Sequence, residues 1–65
     1  MSKRILIVED EETLRESMRR IFAKEGYAVD GAESAEKALS LLETSMYDVI
    51  ISDIILPGMD GIEML

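Results

Sequence analysis

Ile5-Leu6-Ile7-Val8 and Val49-Ile50-Ile51 are unbroken aliphatic runs, without the alternation of apolar and polar residues that a strand with one wet face shows. Runs of this kind fit strands buried on both faces, as in a parallel sheet flanked by helices. Each run ends in acid. Glu9-Asp10-Glu11-Glu12 closes the first, and Asp53 follows the second after a single serine. A chain that must bury two such runs, and that places ionisable groups directly at their ends, is restricted to a small set of folds.

The segments between the runs supply what a parallel sheet needs. Leu14, Met18, Ile21 and Phe22 recur at helical spacing, with Arg15, Arg19, Arg20 and Lys24 on other faces and Gly26 placed just past the end. Tyr27-Ala28-Val29 reads as a short second strand. Ser34 is a candidate N-cap for a second helix whose Ala35, Ala38, Leu39 and Leu42 share one stripe and which ends at Thr44-Ser45. After the last run, Pro57-Gly58 supplies a turn, and Asp60 with Glu63 forms a capping box that opens a third helix running to Met64-Leu65. The order is therefore β-α-β-α-β followed by the start of an α. Strands alternating with helices predict an α/β parallel sheet built by right-handed crossovers. No linker or low-complexity tract divides the chain, so residues 1–65 read as one partial domain. Two helices and a stub do not cover both faces of three strands, and completion is expected from a C-terminal half or from a second copy.

Composition narrows the function. At 65 residues the core is small, and with neither cysteine nor histidine there is no disulfide, thiolate or imidazole staple for it. Acidic residues number 14 against 7 basic ones, a net charge of −7, which lacks the basic footprint of a nucleic-acid surface. No apolar run approaches the roughly 20 residues of a membrane span. The expectation is a soluble, cytoplasmic chain that contacts neither nucleic acid nor membrane.

The acids at the strand ends carry the chemistry. In open α/β sheets, ligands bind beyond the carboxyl ends of the strands where the winding reverses, which in the strand order 2-1-3-4-5 lies between strands 1 and 3. Glu9, Asp10 and Asp53 would meet there. Crowded carboxylates repel unless a cation neutralises them, and with only oxygen ligands on offer that cation is best read as Mg2+. A carboxylate beside such a cation can attack phosphorus and carry an acyl phosphate. Taken singly, these residues keep simpler readings. Glu9 through Glu12 complement the positive end of a helix dipole, and Asp53 suits a turn or cap. Asp60 reads as a cap, Met18, Met46, Met59 and Met64 as gap-fillers, and the arginines of the first helix as a solvated face.

ILIVEDEETLR followed by DVIISDIILPGMDGIEML resembles the first half of a response-regulator receiver domain of bacterial two-component signalling, along the whole length from Lys3 to Leu65. The resemblance implies a flavodoxin-like sheet, incomplete here. It implies Asp53 as phosphoacceptor, Asp10 as direct magnesium ligand, Glu9 as the other acid of the pair, and the backbone carbonyl of Ile55 as a further ligand. Pro57 and Gly61 match the loop that shapes the site. Phosphate would come from a sensor histidine kinase or a small phosphodonor, and the chain would be a phosphoacceptor and not an enzyme. Two features depart from the pattern: Glu9 stands where many members carry aspartate, and Ile55 is apolar where many are polar. The family's Ser or Thr after strand four and Lys after strand five fall beyond Leu65, so the chain on its own is expected not to switch as a whole receiver does. A different class of function is a half-domain that only assembles, two copies pairing their exposed strand edges. A phosphohydrolase with an aspartate nucleophile is disfavoured, because no candidate general acid or phosphate-binding lysine stands at a second strand end.

Overall fold

A computed structural model describes residues 3–52. In chain order these form β1 (Arg4–Val8), α1 (Glu12–Lys24), β2 (Ala28–Ala32), α2 (Ala35–Thr44) and β3 (Val49–Ser52). The three strands are parallel in the order β2-β1-β3, with Val8 opposite Ala32 on one side and Ser52 on the other. The winding therefore reverses at β1, as the sequence predicted. The Pro57-Gly58 turn and the Asp60 and Glu63 capping box lie outside the described residues.

Burial concentrates in β1. Ile5, Leu6, Ile7 and Val8 are all buried, and only Ala32 and Ala38 join them as buried apolar residues among those described. Alternation along the strand sends Leu6 and Val8 to one face, where Ala32 and Ala38 complete a cluster against which Ala35, Leu41, Leu42, Tyr47 and Ile50 pack. This is the α2 face. Its helix starts where expected: the Ser34 hydroxyl accepts the backbone N–H of Lys37 at 3.1 Å. Ile5 and Ile7 occupy the opposite face, over which α1 lies across β1 and β2 but not β3.

That offset leaves the apolar stripe of α1 only partly covered. Met18 and Phe22 are half-buried, but Leu14 and Ile21 are exposed, Ile21 by 60%, and Val49 is exposed on β3. Met46 is 88% exposed and fills no gap. The helix ends as predicted, with Gly26 at φ 96°, a conformation that glycine adopts without Cβ strain.

The second strand runs past its expected end, through Asp30-Gly31 to Ala32. Asp-Gly is turn chemistry by local preference, yet here each residue has tertiary support. The Asp30 carboxylate accepts the Tyr47 hydroxyl at 2.6 Å and pairs with the Arg4 guanidinium at 3.2 Å, while the guanidinium lies 5.0 Å from the Tyr47 ring centroid. Arg4 N–H donates to the Asp48 carboxylate and Asp48 N–H to the Arg4 carbonyl, both at 2.8 Å. One polar group of four residues thus ties the amino ends of β1 and β3 to the middle of β2.

Burial pushes the Tyr47 phenol above its ordinary value, and its bond to the Asp30 carboxylate, with the charge of that carboxylate, adds to the shift; the Arg4 cation and the Ser45 hydroxyl oppose it. The phenol ionises first in the unfolded chain, so the stability this tyrosine contributes is present below its usual value of about 10 and is lost as pH rises through the folded value. Thermal melts taken upward from pH 9 are expected to fall more steeply for the wild-type chain than for Tyr47→Phe. Parallel pH profiles for the two would refute the role given to this hydrogen bond.

Candidate functional site

The fold brings two features to one edge of the sheet: the acids that follow β1 and the carboxyl end of β3. Backbone pairing continues past β1, with Glu9 N–H donating to the Ala32 carbonyl at 3.0 Å. This holds Glu9 in the sheet's plane, where it is the buried charged residue among those described, 8% exposed. Its carboxylate turns along its own chain and accepts the backbone N–H of Glu11 at 3.1 Å. Asp10, one residue on, is exposed at the rim.

This arrangement shows which acid of Glu9 through Glu12 bonds the backbone at the helix start. Glu11 occupies the N-cap position of α1 but its side chain makes no capping hydrogen bond, and Glu12 is the acid of the first turn. The carboxylate that captures a backbone donor at this helix start is that of Glu9. Asp10 is left as the exposed carboxylate of the pair. The two residues differ in role because of the chain's direction: β1 pairing fixes Glu9 inward, and the turn into α1 sets Asp10 outside.

On the neighbouring strand, Ser52 stands opposite Val8, the residue that precedes Glu9. Asp53 and Ile55, the other expected ligands, lie outside the described residues, as do Pro57 and Gly61. Among the described residues no three acidic, histidine or cysteine side chains come together as a metal cluster, and no enclosed pocket forms. The donors that are present suit a hard divalent cation. They are oxygen atoms alone, in a chain without histidine or cysteine, with one carboxylate exposed and the other already partnered by a backbone N–H.

One participant was not anticipated. Arg15, expected on a solvated face, is half-buried, and its Nη1 donates to the Glu9 carbonyl at 2.9 Å. Helical side chains lean toward the amino end of their helix, so an arginine one turn into α1 reaches back over the turn that precedes it. Arg19 does behave as expected of a surface residue, pairing with Glu16 at 2.9 Å within its own helix. The difference between the two arginines is their distance from the helix start, which was visible in the sequence, together with Gly31 opposite, which was not.

Comparison with known proteins agrees with this geometry. Residues 5–65 match the family described as the response regulator receiver domain. The chain is 38% identical over 64 residues to the response regulator MprA of Mycolicibacterium vanbaalenii and, equally, to that of Mycobacterium tuberculosis; the match covers 98% of this chain and 28% of those proteins. Among solved structures it resembles the response regulator protein TrrA of Thermotoga maritima in complex with Mg(2+)-BeF, with a TM-score of 0.76 and 44% identity over 95% of this chain and 54% of that one. It also resembles the chemotaxis response regulator CheY4 of Vibrio cholerae, with a TM-score of 0.81 and 31% identity over 98% of this chain and 53% of that one. The chain thus spans about a quarter of the curated relatives and about half of the solved receivers.

Proposed function

Because the chain belongs to the response regulator receiver domain family, we propose that it is a phosphoacceptor module of two-component signalling, taking phosphate from a sensor histidine kinase onto Asp53 with Mg2+ held by Asp10. The observation that carries this reading is the sheet edge itself: a parallel β2-β1-β3 order whose reversal point places the acids after β1 beside the end of the strand that precedes Asp53. The magnesium complex of TrrA, a relative with 44% identity, supports the choice of ion.

In this reading each residue has one task. Asp53 is the nucleophile: a carboxylate oxygen attacks phosphorus, the bond from phosphorus to the donor breaks, and the leaving group takes that electron pair and a proton. Asp10 supplies the exposed carboxylate for the cation. Glu9 contributes the charge of a buried carboxylate, acting from behind the Glu11 N–H and through solvent. The carbonyl of Ile55 is the further ligand. When bound, magnesium neutralises charge that builds on the phosphoryl oxygens. The chain accepts a group and is not itself an enzyme. The exposed Leu14, Ile21 and Val49, with β3 at the sheet edge among the described residues, are compatible with self-association of the chain.

The test is covalent labelling. With a small phosphodonor and magnesium, mass spectrometry is expected to show one added phosphoryl group per chain. Asp53→Asn is expected to take none. Equal labelling of both would place the acceptor elsewhere and end this reading.

A further inference from the structure

Asp10 sits between two fixed points that its own side chain does not make. On one side, Glu9 N–H is bonded to the Ala32 carbonyl and Arg15 Nη1 to the Glu9 carbonyl. On the other, Glu11 N–H is held by the Glu9 carboxylate. The Glu9 carbonyl and the Asp10 N–H belong to a single planar peptide unit, so fixing that oxygen fixes the plane from which the Asp10 Cα departs. Arg15 is therefore a restraint on Asp10, applied through a backbone oxygen.

The route of the arginine is also built in. A Cβ added at Gly31 would lie 3.2 Å from Arg15 Cδ and 3.3 Å from Arg15 Cγ, tighter than ordinary van der Waals contact. The stem of Arg15 thus crosses the sheet where β2 has no side chain. Resting on the proposed magnesium site, we infer that Arg15 is a positioning residue for that site, holding the Glu9–Asp10 peptide so that the Asp10 carboxylate meets a divalent cation, with Gly31 as the space its stem requires.

Position and charge make opposite demands, which renders the assignment testable. As a bare positive charge beside acids, Arg15 would oppose cation binding, and its removal would tighten magnesium. As a restraint its removal weakens magnesium, and outer partners of metal ligands typically carry about 10- to 100-fold in affinity. The experiment is calorimetric titration of the 65-residue chain with magnesium chloride, for the wild type, Arg15→Met, Arg15→Lys and Gly31→Val, alongside thermal melts without metal. Arg15→Met keeps an apolar stem over Gly31 and loses the donor; Arg15→Lys keeps the charge but its ammonium falls one atom short of the Nη1 that reaches the Glu9 carbonyl; Gly31→Val displaces the stem and leaves Arg15 itself intact.

The expected result is about a tenfold loss of magnesium affinity in all three variants, with metal-free melting in Arg15→Met and Arg15→Lys close to wild type. Affinity that is unchanged or tighter in Arg15→Met, with Arg15→Lys matching the wild type, overturns the assignment. So does an affinity loss matched throughout by an equivalent loss of melting temperature, which marks a purely structural residue. A wild-type chain that takes no magnesium overturns the receiver-site reading, and the inference with it. Wild-type binding that the variants do not weaken overturns the inference alone.

Discussion

Leu6→Ala is expected to remove a large part of the chain's stability and to lower its urea midpoint accordingly. Leu6 has no exposed surface and belongs to the cluster formed with Val8, Ala32 and Ala38 beneath α2. Truncating a buried leucine costs about 2–5 kcal/mol, the upper end applying where surrounding atoms cannot close the cavity. Here they cannot readily do so, because Leu6 lies in the central strand, bonded on both sides by β2 and β3. A domain of this length has about 3–10 kcal/mol of stability in all, on the usual 0.05–0.15 per residue, so this one change removes a large part of it. Met46→Ala, at a side chain almost wholly in solvent, is the control and is expected to fall within about 0.5 kcal/mol of wild type. Urea titrations followed by circular dichroism check both. A Leu6→Ala midpoint equal to that of Met46→Ala would show that the core is not centred on β1.

Much of this fold was legible because β1 is a run with no polar interruption, and such a run has few places to go except the middle of a sheet. Ser34 was legible for a similar reason: a hydroxyl before an apolar stripe has a single local task. β2 was harder, because Asp30 and Gly31 are turn-formers by local preference, and what holds them in a strand, pairing with Leu6 and Ile7 and contacts with Arg4, Tyr47 and Arg15, is remote from them in sequence. The stripe on α1 was legible as a stripe but not in how far it is covered. Its spacing is that of a buried face, but the helix lies over β1 and β2 and leaves Leu14 and Ile21 in solvent.

The acidic pair was legible in its place at the end of β1 but not in the geometry of its two members. That Glu9 and Asp10 end a buried strand is written in the sequence. That Glu9 turns inward to the Glu11 N–H while Asp10 remains exposed follows from strand pairing that extends one residue past β1, through the Ala32 carbonyl. Periodicity carries no signal for that extension. Arg15 was missed because its partner is a backbone carbonyl, which has no sequence signature at all.

The second large effect is expected at Asp10. Its replacement by asparagine keeps size and shape and removes the charge, and the exposed position of the side chain means that the fold has little to lose. Metal affinity is expected to fall by at least an order of magnitude, since a hard divalent ion is held chiefly by carboxylates and water. Glu9→Ala, which removes the acceptor as well as the charge, is the informative companion. Because the Glu9 carboxylate is buried and bonded to the Glu11 N–H, its loss is expected to lower stability as well as affinity. Stability thus separates the two acids where affinity does not.

Whether the carboxyl end of β1 holds a cation is read most plainly by one measurement. It is a magnesium titration of the isotopically labelled chain followed by its backbone amide resonances. Saturable shifts are expected at Glu9, Asp10, Glu11 and Ser52, with little change at Arg4, Ala28 and Asp48 at the opposite end of the strands and loss of the response in Asp10→Asn. Shifts scattered over the acidic surface without saturation, or an Asp10→Asn response equal to wild type, would contradict a cation site there.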